Sequence, residues 1–343
     1  MRVLIVSATG FSLGMAPSLS GEGHSITTQL SRVVEIPKIT KLFANTPPDI
    51  AVFDSQTHSV PAEWVRQRGI RVLGVSSWSS LLDTNPEYCR DLIKAIGYQI
   101  PNTEENTISC WVTCWFNGNK FIAKSLVFNY DKFMPGNIGA DVTSAGYIAY
   151  FNVDKSKLVN SVLDKAEKFL RKANHRGCFS INALVDQKGE IYVKGISASM
   201  NLPFTQALYE NSKRSKTDIL LDVFNESADL IPFTDPYVCG ILISTYPYPY
   251  AKPEVPVGIE GINLANLKHL WLMDTTREND VWNCGQISGC FGYVTARGVS
   301  VQECTRRVYR TISNLTIEGM QYRNDIGKDV NEKMYQLKQF GLV

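Results

Sequence analysis

The period of the apolar residues changes once along this chain, near Ile108, and that switch limits the folds open to it. Before it, short apolar runs at Arg2 to Val6, Pro48 to Phe53 and Ile70 to Val75 are separated by polar stretches and by a helical pattern from Val60 to Arg68. Strands alternating with helices predict a parallel sheet covered on both faces, because a parallel crossover needs a helix to return the chain. Asn85-Pro86 then opens a helix that runs through Lys94 and closes at Gly97, with proline at a first-turn position where its missing N–H costs nothing.

From Ile108 the pattern reads as hairpins. Ser109 to Phe116 and Phe121 to Phe128 flank the turn Asn117-Gly118-Asn119, and Phe179 to Val185 and Glu190 to Ile196 flank Asp186-Gln187-Lys188-Gly189. Between them, Val153 to Ala173 carries Leu158, Val162, Ala166 and Leu170 four apart, the stripe of an amphipathic helix. Short helices are expected at Thr205 to Tyr209 and Lys216 to Val223. A third part starts near Tyr237, with strands at Val238 to Ser244, Leu270 to Met273 and Cys290 to Thr295, and a proline-stiffened connection, TYPYPYAKPEVP, from Thr245 to Pro256. The predicted units are residues 1–100, 101–236 and 237–343, the last with a helix over 300–313.

Composition excludes some classes. The 343 residues are 44% hydrophobic, enough for real cores, and 35 basic against 33 acidic residues leave a formal +2. That balance argues against a dedicated nucleic-acid binder. The eight cysteines include no CxxC pair, and Cys110 and Cys114 alternate onto one face of a strand, so buried free thiols are expected, with a zinc site as the other reading. No apolar run approaches the roughly 20 residues that span a bilayer, and the apolar start reads as a buried strand. No membrane association is expected, and a reducing cytoplasm fits the thiols. His24, His58, His175 and His269 have no metal-ligand spacing, and Lys213-Arg214-Ser215-Lys216 reads as a solvated helix end or a phosphate contact.

The block from Ser288 to Gly327 is the most specific. Its apolar strand stops at Arg297-Gly298, and Ser300 with Glu303 form a capping box. Val301, Cys304, Val308 and Ile312 then recur at helical spacing, while Arg306, Arg307 and Arg310 fall mainly elsewhere. Gly289, Val294-Thr295-Ala296, Gly298, Gly319-Met320-Gln321-Tyr322-Arg323 and Asp325-Ile326-Gly327 match a family pattern. The run resembles the C-terminal signature of the phosphoribosylamine–glycine ligases, ATP-grasp enzymes that join glycine to phosphoribosylamine in purine biosynthesis. The resemblance implies an α/β fold: an N-terminal parallel-sheet, Rossmann-like (pre-ATP-grasp) domain, an ATP-grasp α+β domain, and a small C-terminal β-rich domain.

Residue by residue, the resemblance weakens where chemistry should be. The family's ATP lid would lie between Pro101 and Ile108, where only six residues stand. Its magnesium-binding Glu-Phe-Asn triplet is replaced by Gly195-Ile196-Ser197, and Asp186 and Glu190 sit on a turn. Phosphoryl transfer needs a metal to neutralise charge, and serine is a weak magnesium ligand. The family's glycine-rich turn becomes Thr9-Gly10 followed by Phe11-Ser12-Leu13; its Gly-Pro-Glu segment becomes Asp54-Ser55-Gln56; its central substrate loop becomes Asp141 to Tyr147. No catalytic or metal-binding residue is therefore expected.

The expected ligand contacts are Gly10, Gly14, Asp54, Ser55, Gln56, Thr143, Ser144, Gly146, Ser197 and Asn201. Arg323 and Asp325 are expected to be structural. Two functions stay open. One is a repurposed binding protein, without cofactor, for a sugar phosphate, nucleotide or protein partner. The other is an active ligase using ATP and Mg, helped by a neighbour in a homo-oligomer. A third reading has the cleft filled by side chains such as Phe11, Leu13 and Met200.

Overall fold

The computed structural model describes residues 1–31, 34–43 and 46–343. Its first sheet contains β1 (Arg2–Ser7), β2 (Ser25–Leu30), β3 (Ile50–Phe53) and β4 (Arg71–Leu73), ordered β2-β1-β3-β4 and parallel throughout. The connections contain α1 (Ala16–Gly21), α2 (Ile36–Leu42) and α3 (Ser59–Arg66). β2 and α2 escape the sequence reading because β2 is an edge strand: with one side open, Thr27 and Thr28 face solvent and no apolar run marks it. α4 (Ser77–Thr84) was hidden in a serine-rich run, where Ser76 and Ser79 form a capping box. α5 (Pro86–Ile96) follows directly, with Asn85 accepting from the Tyr88 N–H at 3.0 Å and Gly97 closing it at φ 91°.

The remainder is built around one large antiparallel sheet. Its strands are β5 (Ile108–Asn117), β6 (Phe121–Met134), β7 (Ile138–Tyr150), β8 (Arg176–Val185), β9 (Ile191–Ser197) and β10 (Tyr237–Thr245), followed after α6 (Lys157–Lys172), α7 (Leu202–Asn211) and α8 (Lys216–Asp222) by further strands. The C-terminal part adds β11 (Val257–Glu260), α9 (Leu264–Leu267), β12 (Leu270–Leu272), β13 (Thr275–Glu278), β14 (Val281–Cys284), β15 (Cys290–Gly298), α10 (Val301–Ile312), β16 (Thr316–Ile317), β17 (Met320–Gln321) and α11 (Val330–Gln339). The order β12-β15-β10-β7-β6-β5-β8-β9 takes strands from both sides of Tyr237, and β10 pairs β7 with Tyr237 opposite Tyr150. A boundary at Tyr237 therefore cuts through a continuous sheet. β13, β14, β11 and β16 make the small separate sheet of the β-rich end.

Alternation along the strands sorts the two cores. Val112, Cys114 and Phe116 point to the face covered by α6, α10 and α11, while Trp115 joins the opposite face with α7, α8 and the underside of β1. The stripe Leu158, Val162, Ala166 and Leu170 is buried, as are Val301, Cys304, Val308 and Ile312. Ser300 accepts from the Glu303 N–H at 3.2 Å, but Glu303 reaches one residue further back than a capping box requires, to the Val299 N–H at 2.9 Å. α6 starts at Lys157, not Val153, because Ser156 supplies its cap. The segment expected as a loop from Asp141 to Tyr147 lies inside β7. Residues 101–107 form no helix or strand, and the Lys194–Glu104 ion pair at 2.7 Å pins them to β9.

Among the described residues the most buried charge is Arg323, 1% exposed. Its fork meets Asp325 through two bonds of 2.8 Å, and its other terminal nitrogen donates to Lys132 O (2.8 Å) and Asn137 Oδ1 (2.9 Å) on the β6–β7 hairpin. Asp325 also accepts from the Gly136 N–H at 2.9 Å. Desolvation works against this carboxylate, yet the bonds from Arg323 and Gly136 outweigh it and hold its pKa below the ordinary value. The lowered pKa makes the clamp stabilising above the unfolded-state value and progressively lost as acid protonates Asp325.

Arg323→Ala should lower stability by about 3–5 kcal/mol in denaturant titration, because Asp325 and two hairpin acceptors lose a buried partner. An unchanged midpoint would remove the clamp from the account of stability. All eight cysteines are free and buried, and burial pushes the Cys110, Cys284 and Cys304 thiols up to about 12 and that of Cys178 to about 11. Ellman's reagent at pH 8 should therefore find essentially no thiol in the native protein and all eight after denaturation. Fast native labelling would contradict this.

Candidate functional site

The carboxyl ends of β1 and β3 open onto the large sheet, the position at which parallel α/β sheets usually present ligands. A cleft of ≈ 560 Å³ lies there, open rather than filled by side chains. Its wall draws on β1 and β3, the end of α4, β5 to β7, the β9–α7 turn, β10 and β15. Of the ten expected ligand contacts, Asp54, Ser55, Gln56, Thr143, Ser144, Ser197 and Asn201 line it; Gly10, Gly14 and Gly146 do not.

The three glycines answer to packing. Gly10 sits at φ 88°, where a side chain would strain the backbone and its Cβ would lie 2.8 Å from Met273 O. A Cβ at Gly14 would fall 2.4 Å from the Trp271 ring nitrogen, and one at Gly146 would fall 2.7 Å from Ile326. Leu13 packs into the core, while Phe11 and Met200 form apolar parts of the cleft wall.

Asp54 is committed to its own scaffold. It accepts from the Ala8 N–H (3.0 Å), the Ser12 N–H (2.9 Å), the Ser12 hydroxyl (2.9 Å) and the Ser7 hydroxyl, so it shapes the turn after β1. Ser55 caps the short turn behind it through the Thr57 N–H at 3.2 Å. Asn201 caps α7 through the Phe204 N–H at 3.0 Å, and Ser197 accepts from the Ser199 N–H at 3.3 Å. Ser144 donates to Gly146 O at 3.2 Å, and the Thr143 carbonyl accepts from Asn129 at 3.1 Å.

The sequence reading missed Asp83, Asn129, Asp131 and Ser199, which also line the cleft. Ser199 donates to Asp83 at 2.5 Å, and Asn129 donates to Asp131. Desolvation raises the pKa of both carboxyls; hydrogen bonds from Ser199 and Ser197 to Asp83, and from Asn129 to Asp131, oppose it, and the charge of Asp141 adds to it at Asp131. The one available signal for Asp83 was the Ser76–Ser79 cap, which fixes the helix that carries it. For Asp131 it was the length of β6, which runs past Phe128 to Met134.

The wall contains Asp54, Asp83 and Asp131, and no lysine, arginine or histidine among the described residues. Trp111, Tyr248 and Tyr293 add aromatic surface, Tyr248 coming from the proline-rich connection. Magnesium–triphosphate chemistry needs cations for the phosphates as well as carboxylates for the metal. The resemblance would put metal ligands at Gly195 and Ser197, and among the described residues no three His, Cys, Asp or Glu side chains gather as a metal cluster. The residues present do not fit a magnesium nucleotide. The cluster Lys213-Arg214-Ser215-Lys216 is also spent elsewhere: Arg214 pairs with Asp222, Ser215 caps α8 and Lys216 donates to Tyr209 O.

Because its pKa is raised in the folded state, Asp83 contributes stability below its unfolded pKa that is lost as pH rises through the folded value. Asp83→Asn, which keeps an acceptor for Ser199, should therefore gain on the wild type between pH 4 and pH 7 by roughly a degree in Tm. A variant that loses ground over that interval would contradict the assignment.

No family model matches the chain. Curated relatives include the phosphoribosylamine–glycine ligases of Vibrio parahaemolyticus and Vibrio vulnificus, each 26% identical over 157 residues. That stretch is 45% of this chain and 36% of each relative's length. Among solved structures, phosphoribosylamine–glycine ligase from Thermotoga maritima superposes with a TM-score of 0.67 at 15% identity, covering 95% of this chain and 100% of that one. N5-carboxyaminoimidazole ribonucleotide synthetase from Thermotoga maritima gives 0.58 at 12% identity, covering 93% and 99%. The chain therefore has an ATP-grasp-type fold and is similar in sequence, over less than half its length, to phosphoribosylamine–glycine ligases.

Proposed function

We propose that this chain is a binding protein built on a ligase-like fold, whose cleft takes a neutral or cationic small molecule carrying hydroxyl or amino groups. The observation that carries the reading is the chemistry of the wall: Asp83 and Asp131 beside Ser197, Ser199 and Thr143, with no basic side chain among the described residues. Carboxylates in a partly desolvated cleft favour an ammonium and repel a phosphate, and the serine and threonine hydroxyls suit a polyol. The half-buried rings of Trp111 and Tyr248 offer aromatic surface for a sugar or an amine. A sugar phosphate or nucleotide, the ligand expected from resemblance alone, is disfavoured by the same charges.

The active-ligase reading draws its support from the sequence similarity over 157 residues. It requires the nucleotide's phosphates to be neutralised by groups that the wall does not supply.

Two measurements separate the readings. Glucosamine, a compact cationic polyol, should raise Tm, by about 2.7 kcal/mol of added stability at 100 times its dissociation constant. Asp83→Asn combined with Asp131→Asn should abolish that response. Purified protein given Mg-ATP, glycine and phosphoribosylamine should release no ADP. An equal glucosamine response in the double variant, or ADP release that follows the protein through purification, would overturn the proposal.

A further inference from the structure

A second cavity of ≈ 700 Å³ has the opposite chemistry. It is bounded by the end of α3, the approach to β4, the start of α4, the α6–β8 turn and Phe224. Three arginines line it, Arg66, Arg71 and Arg176, against a single acid, Glu63.

Each arginine is placed differently. Arg66 is fixed at the wall by Gly74 O (2.5 Å), Val75 O (3.0 Å) and Glu63 (3.2 Å), so Glu63 is already engaged. Arg176 is held by Asn117 O and Glu226, both at 2.5 Å. A guanidinium has five N–H donors, and neither fork is exhausted by these contacts. Arg71 is exposed and, among the described residues, makes no ion pair or side-chain hydrogen bond. The first turn of α4 enters at Ser77, bringing the positive end of a helix to the same cavity. His175 adds no charge: its Nε2 donates to Cys178 O at 3.0 Å, and burial, aided by the charge of Arg66, pushes its pKa down to about 4.

Two prepositioned guanidinia, one unpaired guanidinium and a helix start make a planar-donor arrangement matched to tetrahedral oxyanions. We propose that this cavity binds a phosphate-type dianion, free or as the phosphomonoester of a small molecule, with Arg71 closing on a ligand seated between Arg66 and Arg176. The site is separate from the acidic cleft and does not depend on what that cleft binds.

The test uses the full chain and two probes, inorganic phosphate and ribose 5-phosphate, titrated calorimetrically at constant ionic strength against chloride. Saturable binding is expected for at least one probe. Ribose 5-phosphate binding tighter than phosphate identifies a phosphomonoester site, and equal or weaker binding identifies a site for the free ion. Arg71→Ala should weaken binding about tenfold, and Arg71→Glu should abolish it. Both variants should keep the wild-type midpoint in denaturant titration, which shows that they fold. Heats no greater than chloride for both probes, or undiminished binding in Arg71→Glu, would overturn the proposal.

Discussion

The pairing of β7 with β10 is the constraint on which the rest of the structure depends. It sets Tyr147 opposite Gly240, and a Cβ at that glycine would lie 2.3 Å from the tyrosine ring. Only glycine lets the two strands close at ladder distance with the aromatic side chain between the sheet and α7. Through this seam β10 and β15 join the hairpins of the middle of the chain, and the cleft gains Leu242 on one side and Thr143 and Ser144 on the other. Without it β12, β15 and β10 would be severed from the rest of the sheet, and the cleft would lose one wall.

Arg323 fixes the other end of the same strands. The long β6–β7 hairpin projects from the sheet, where few neighbours can hold it, and the Arg323–Asp325 pair gathers Lys132 O, Asn137 and Gly136 from its tip. Tyr130 extends the contact: the guanidinium lies 5.0 Å from its ring, and its hydroxyl accepts from the Gly327 N–H at 3.0 Å. The end of the signature run, from Arg323 to Gly327, thus fastens the hairpin whose strand β6 carries Asn129 and Asp131 to the cleft.

Charge is distributed unevenly despite the formal +2. The cleft carries aspartates without cations among the described residues, and the arginines collect in a cavity on the other side of α4. α4 connects the two: its start approaches the basic cavity and its last turn delivers Asp83 to the cleft. Both sets of charges run against the helix dipole, arginines at its positive start and Asp83 in its last turn, so Asp83 relies on the hydroxyls of Ser197 and Ser199.

The sequence by itself determined the elements whose information is local. The caps at Asn85 and Ser300, the stripes of α6 and α10, the hairpin turns at Gly118 and Gly189 and the burial of the thiols all follow from periodicity and neighbours a few residues apart. Seven of the ten contacts expected from the family resemblance line the cleft, three of them, Asp54, Ser55 and Gln56, because the end of a parallel strand opens there. What only the tertiary structure decided is non-local. An edge strand such as β2 needs no apolar signature, and β7 alternates too weakly at its start to be told from a loop. Gly146 is a packing contact because of Ile326, 180 residues away, a neighbour that no local pattern announces. The charge of the cleft is likewise set by Asp83 and Asp131, which ordinary polar stretches carry and only the packing of α4 and β6 against the β9–α7 turn brings to one wall.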